Sequence, residues 1–289
     1  MNQSVFDIKQ NALFRDRVKD FLVDCVDQKQ SMAEAHYHPY YELFYVVKGS
    51  CRMFVGHKLY AVNEGELVIL PPSALHRTQY ETEAQRITVS FTPKYIESMK
   101  SILGEDFLSK YITPGKLHFT ENKKKEIEAF LTELLNKYEK SLENFLNSID
   151  LKTLLIQLLV FIARNTEFKC KNELMDKRTE SIQNAAKYIF ENYGKDISLQ
   201  EAADIAGIRD TYFSRLFQEI TGYGFKEYLL NIRIQHAQEM LRAGKLKITQ
   251  IALACGFSDG NYFGDIFKKR TGLSPREFRR LQVKQNFLP

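Results

Sequence analysis

Apolar positions along the chain keep two different periods, and the change falls near residue 91. From about residue 34 to 90, short runs rich in Val, Ile, Tyr and Phe are cut by turn residues. ELFYVVKG, CRMFVGHKLYAV, GELVILPPS and RITVSF are the clearest, with VGHK, NEG and PPSA between them. Short strands at this spacing predict an antiparallel barrel or sandwich. Beyond residue 91 the period lengthens. Ile127, Phe130, Leu131, Leu134, Leu135 and Tyr138 recur at helical spacing behind Thr120 as a prospective N-cap, and Leu151, Leu154, Leu155, Leu158, Leu159 and Ile162 repeat the pattern. Two amphipathic helices behind a small β domain can close its open side, pair with a second subunit, or do both. Residues 165–177, NTEFKCKNELMDK, are polar without a periodic stripe and form the expected linker. The expected layout is therefore a β domain with following helices over residues 1–164, the linker, and an all-helical domain over 178–289.

The helical remainder is internally repeated. Leu199, Ala203 and Gly207 match Ile248, Ala252 and Gly256, while Tyr212, Phe213, Phe217, Thr221 and Gly222 match Tyr262, Phe263, Phe267, Thr271 and Gly272 one residue further apart. Two copies are too few for a solenoid and read as paired modules. In each, a short helix ends at a glycine suited to the left-handed conformation, a small alanine allows close crossing, and a second helix carries inward-facing aromatics. Ser198 with Glu201, and Ser274, Pro275 and Glu277, supply helix starts. This is the grammar of a helix-turn-helix, whose second helix can enter a DNA major groove. The run FKEYLLNIRIQHAQEM, residues 225–240, can form one helix tying the modules together.

Charge supports a polyanion partner for this part. The chain holds 41 basic and 36 acidic residues, and from residue 178 onward the count is 17 against 12, so the whole excess of +5 lies there. Cys25, Cys51, Cys170 and Cys255 form no CxxC pair, which argues against a disulfide scaffold or a cysteine-rich zinc site and for reduced thiols. The charged start lacks the apolar run of a secretion signal, and LLIQLLVFIA is far short of the ~20 residues needed to cross a bilayer. A cytoplasmic chain without a membrane partner is expected. Walker, GxGxxG, HExxH and GxSxG motifs are absent from the sequence.

Residues 182–282 resemble the DNA-binding domain of the AraC/XylS family of transcription regulators, with IALACGFSDGNYFGDIFKKRTGLSPREFRR following its C-terminal signature. The resemblance implies seven helices with two helix-turn-helix units, usually in a transcription activator that works with RNA polymerase, commonly as a homodimer. It places the groove-facing positions at Thr211, Ser214 and Arg215 in the first module, and at Gly260, Asn261, Gly264 and Asp265 in the second. Arg215 can donate two hydrogen bonds to guanine and Asn261 can pair with adenine. Lys268, Lys269, Arg270, Arg279 and Arg280 are expected phosphate contacts, which position without reading sequence. Where the family commonly has Ser-Arg, this chain has Gly264-Asp265. Asp265 repels phosphate and offers only acceptors, so the first module is expected to carry more of the base-specific energy.

The stretch HYHPYYELFYVVKG, residues 36–49, contains His36, His38 and Glu42 as HxHxxxE, and Gly65 and Pro71 lead to His76. These pieces resemble the two halves of a cupin signature, with Ser73 in place of its glycine and Tyr80 where asparagine is usual. The resemblance implies a cupin-like barrel as the sensor domain. Even separations put His36, His38 and Glu42 on one face of a strand, and His76 from a neighbour would complete a nitrogen-rich set suited to Zn, Fe, Ni or Mn. The same groups, with Tyr40, can instead orient a small effector, or simply satisfy one another. Tyr37, Tyr40, Tyr41, Phe44, Tyr45 and Tyr60 suit a ligand with apolar and hydroxylated faces such as a sugar, or an ordinary core. His57, His118 and His236 lack ligand spacing. The expected function is a DNA-binding regulator with a small-molecule effector and no resident cofactor. Its rival is a cupin metalloenzyme with a helical accessory domain.

Overall fold

Strands β2 (Tyr41–Lys48) and β5 (Leu67–Leu70) send alternate side chains into two different cores. Leu43, Tyr45, Leu67 and Ile69 face one, and Phe44, Val46, Val68 and Leu70 face the other. Burial on both faces explains why these strands read as nearly unbroken apolar runs instead of alternating ones. The computed structural model describes residues 20–28, 36–140, 145–165 and 176–286. Its other strands are β1 (Phe21–Gln28), β3 (Ser50–Val55), β4 (Lys58–Asn63), β6 (His76–Tyr80), β7 (Ala84–Phe91) and β8 (Gly115–Leu117).

The strands form a five-stranded sheet in the order β1-β7-β2-β5-β8 and a three-stranded sheet in the order β4-β3-β6. This corrects the expected barrel, including its cupin-like form. A barrel strand keeps one face inside and one outside, and closure needs a continuous ladder around the ring. Here the two sheets pack face to face on one core. The outer face of the larger sheet is covered by α4 (Glu121–Lys140) and α5 (Phe145–Arg164), whose Ile127, Leu131, Leu134, Leu155, Leu158 and Ile162 are buried against it. The result is three layers, sheet on sheet on helices. The leucine stripe of α4 and α5 is thereby spent inside the chain. Among the described residues α5 is the helix long and apolar enough to cross a membrane, but its apolar side lies in this core. Three short helices, α1 (Pro93–Glu97), α2 (Lys100–Leu103) and α3 (Phe107–Tyr111), connect β7 to β8.

Residues 166–175 of the expected linker lie outside the described residues. Helix α6 (Lys177–Asn192) starts at Asp176, whose side chain accepts the Thr179 amide. The first module is α7 (Leu199–Ala206) and α8 (Asp210–Thr221), the connector is α9 (Phe225–Ala243), and the second module is α10 (Ile248–Ala254) and α11 (Gly260–Thr271), followed by α12 (Pro275–Asn286). Ser198 accepts the Glu201 amide at 3.1 Å, and Ser274 and Glu277 bond each other reciprocally, as their spacing predicts. Gly207 and Gly256 are left-handed, at φ 69 and 75. The extra residue of the second copy lies between Gly256 and the start of α11.

One hydrophobic core crosses the domain boundary. Tyr37, Phe54 and Leu75 from the β domain are buried together with Ile182, Ala203, Phe213, Phe217 and Tyr228 of the helical domain. The second module has a separate core built around Ile251, Phe257, Phe263 and Phe267.

Candidate DNA-binding surface and histidine cluster

Apolar residues at helical spacing, Phe213, Leu216 and Phe217, pin α8 to the core, which turns the polar side of its N-terminal half outward. Thr211 and Arg215 are exposed, Ser214 is half-buried, and the Arg215 guanidinium lies over the Tyr212 ring at 5.4 Å. In α11, Phe263 and Phe267 do the same. Gly260, Asn261 and Asp265 are exposed, Gly264 is half-buried, and Asp259 caps the helix by accepting the Asn261 amide at 2.7 Å. Lys268, Lys269 and Arg280 are exposed cations. Arg270 and Arg279 have protein partners, Glu227 at 3.4 Å and the Leu246 carbonyl at 2.7 Å respectively.

The histidines sit where the chain turns from the small sheet to the large one. His36 pairs with His76 in an isolated antiparallel bridge, the chain bends at Pro39 and Tyr40, and β2 then begins. His38 and Glu42 therefore do not share a regular strand, and it is the corner that brings them together. His38 Nε2 lies 3.5 Å from Glu42 Oε2, and one donor atom from each of His38, Glu42 and His76 falls within 4.8 Å of the others. These three residues could hold a metal ion. His36 packs its ring 4.2 Å from that of His76 and stands outside the group of three. Tyr40 stacks on His38 with ring centroids 3.9 Å apart.

Both cluster histidines direct Nδ1 at a backbone carbonyl, His38 at Tyr40 O and His76 at Ala74 O, each at 2.9 Å. A carbonyl only accepts, so each Nδ1 carries the hydrogen, and the remaining proton-free nitrogen of a neutral ring is Nε2. Metal-binding histidines are held by this kind of outer hydrogen bond. Burial works to raise the Glu42 pKa, but when the rings are protonated and His38 Nε2 also carries a hydrogen, the hydrogen bond from His38 and the charges of His38, His76 and Arg86 outweigh it and bring the group down to about 2. The carboxylate is therefore ionised at neutral pH. Two of the tyrosines expected around a sugar are engaged elsewhere: Tyr41 stacks on Phe91, and Tyr45 donates to Glu128 at 2.7 Å.

Sequence reasoning missed the contact between the domains. Asn231, Gln235, Gln238 and Arg242 recur at helical spacing on α9 and form a polar stripe, most of it turned to the β domain. Ser73 donates to Gln238 Oε1 at 2.7 Å and accepts from Arg242 at 3.1 Å. Tyr37 donates to the Arg270 carbonyl at 2.5 Å, Arg77 to the Glu219 carbonyl at 2.9 Å, and Tyr228 to the Gly56 carbonyl at 2.7 Å. A polar stripe with a period of about 3.6 on a helix otherwise apolar on two sides was the available signal.

Residues 202–281 match the family described as a helix-turn-helix domain, and residues 25–159 match the AraC-like ligand binding domain. The fold and its exposed recognition helices thus define a DNA-binding transcription regulator with a ligand-binding domain. Over both segments the chain is similar to regulators of the AraC/XylS type. It is 42% identical over 93 residues to the uncharacterized HTH-type transcriptional regulator YijO of Escherichia coli, a match spanning 32% of this chain and 33% of that protein. Against the uncharacterized HTH-type transcriptional regulator YfiF of Bacillus subtilis it is 24% identical, across 85% of this chain and 78% of the relative. The crystal structure of ToxT from Vibrio cholerae aligns with 92% of this chain and 99% of its own, at 17% identity and a TM-score of 0.37, too low to add detail. Both curated relatives bear the name of transcriptional regulator, which supports a regulatory role over a catalytic one.

Proposed function

We propose that the protein reads operator DNA with the N-terminal halves of α8 and α11, and that a signal taken up by its β domain changes how the two helices are presented. The supporting observation is that the duplicated helices expose Thr211, Arg215, Asn261 and Asp265 while burying the aromatics that repeat between the copies. Thr211, Ser214 and Arg215 contact bases in one groove, and Gly260, Asn261, Gly264 and Asp265 face the next. Arg215 to guanine is the strongest single pairing in this set. Lys268, Lys269 and Arg280 neutralise phosphates. Arg270 and Arg279 join them from positions that also brace the domain.

α9 has 19 residues and is about 28 Å long, whereas successive major-groove faces recur every ~34–36 Å. The modules therefore reach adjacent grooves by projecting past the connector or by bending the DNA, at a cost on the order of 1–6 kcal/mol.

The effector site is the corner formed by His38, Glu42 and His76, with His36 and Tyr40 packed behind. Donors gathered within 4.8 Å suit an ion or a very small polar group better than the spread hydroxyls of a carbohydrate. A cytoplasmic homodimer that activates transcription through RNA polymerase completes the reading. Leu146 and Ile149, exposed on α5 beside α4, supply the apolar surface for dimer contact. The test is selection of bound duplexes from a random DNA pool, followed by titration of the recovered sequence against shuffled DNA. Discrimination of about a thousandfold or more supports operator recognition; equal affinity for both would sink it.

A further inference from the structure

The segments that carry the histidine cluster also carry the side chains that grip the DNA-reading helices. Tyr37 stands between His36 and His38, and its hydroxyl holds the Arg270 carbonyl in the last turn of α11. Arg77 follows His76, and its guanidinium holds the Glu219 carbonyl in the last turn of α8. Ser73 donates its amide to the His38 carbonyl at 2.8 Å and its hydroxyl to Gln238 of α9. Adjacent residues in an extended chain point to opposite sides. Histidines directed into the cluster therefore leave their neighbours directed at the helical domain.

We propose that a divalent transition-metal ion bound by His38, Glu42 and His76 is an effector of DNA binding, relayed by Tyr37, Arg77 and Ser73 to both recognition helices. The inference rests on the proposed effector site and adds its ligand class and its route. Borderline cations such as zinc or nickel favour two imidazoles and a carboxylate. Tetrahedral coordination with bonds of about 2.0–2.1 Å sets its donors about 3.4 Å apart. His38 and Glu42 already meet that spacing at 3.5 Å, while the full set spans up to 4.8 Å. Binding draws the set together by roughly 1 Å, and Arg77, next in sequence to His76, moves with it.

The receiving side is built for a sensitive response. Gly222 ends α8 at φ 84, and a Cβ there would lie 2.5 Å from the Arg77 side chain, so the guanidinium is seated against bare backbone. Ser73 is a non-glycine residue at φ 67, a left-handed conformation held by its bonds to His38 and α9. The facing stripe of Asn231, Gln235, Gln238 and Arg242 is polar, and water can take over its hydrogen bonds when the domains part. An ion that favours one arrangement of the domains can then shift the balance, because its affinity differs between them.

The experiment uses the full chain, stripped with EDTA, zinc and nickel chlorides as probes, and a duplex recovered by selection. Calorimetry should show one ion bound per chain, and Glu42→Gln and His76→Gln should weaken binding by about tenfold or more. Circular dichroism melts of the variants establish that they fold. Fluorescence anisotropy should show DNA affinity changing by about fivefold or more on adding the ion. Tyr37→Phe with Arg77→Gln should keep ion binding and reduce that change to less than about twofold. Failure of either ion to bind saturably overturns the site, and the inference with it. Stoichiometric binding that leaves DNA affinity unchanged, or an undiminished response in the Tyr37→Phe, Arg77→Gln protein, overturns the relay while the site stands.

Discussion

The two helix-turn-helix modules share a backbone plan and differ in what they lean on. In the first, Phe213 and Phe217 pack into a core that also contains Tyr37, Phe54 and Leu75 of the β domain. In the second, Phe257, Phe263 and Phe267 pack among their own helices, α9, Phe278 of α12 and Tyr193 after α6, and the described cluster contains no residue of the β domain. The same sequence unit therefore performs two mechanical roles. The first module shares a core with the β domain, whereas the second is joined to it through α9, the Arg242 contact and the Tyr37 hydrogen bond. Their proposed DNA faces differ as well, since Arg215 offers a forked donor and Asp265 offers only acceptors.

The largest test of this asymmetry is Phe54→Ala, which removes a ring that is 1% exposed and lies 6.0 Å from that of Tyr228. It should cost about 3–5 kcal/mol of stability in chemical denaturation. Amide exchange should rise in β3, β4 and α8 together. Phe267→Ala should cost a similar amount, yet raise exchange mainly in α10, α11 and α12. Similar exchange maps for the two variants would erase the distinction between the modules.

Arg215→Ala should weaken operator binding by ~1–3 kcal/mol and relax selectivity at one base position. An equal loss on every operator variant would reassign Arg215 to phosphate. Ser198→Ala deletes the side-chain cap of α7 and should cost about 1 kcal/mol of stability. Smallest is Asp265→Asn, which should tighten binding to all sequences by about 0.5 kcal/mol, the Coulomb energy of unit charges ~8 Å apart in water. A loss confined to one base position would show instead that Asp265 reads cytosine.

Both modules were legible because their signals are local. Caps at Ser198 and Ser274, glycines at Gly207 and Gly256, and aromatics four residues apart each act within a few turns of chain. The paired helices α4 and α5 were equally plain. Strand β1 was not, because Asp24 and Asp27 interrupt it and its partner among the described residues, β7, lies some sixty residues away. The histidine spacing pointed to three residues that do converge, by an inexact route. An unbroken strand would have aligned His36 with the others, but the bend at Pro39 and Tyr40 leaves it outside the group and brings His38 onto Glu42.

The sequence by itself therefore determined the duplicated helix-turn-helix unit, through short-range periodicity and capping chemistry, and its motif spacing singled out the histidines. Only the tertiary structure decided that the β domain is a pair of stacked sheets, that His38, Glu42 and His76 converge, and that the β domain grips both recognition helices by their C-terminal carbonyls. Those contacts join residues 142 to 233 positions apart. They involve backbone carbonyls, which every residue possesses, so no pattern of side chains along the chain announces where such a bond will land.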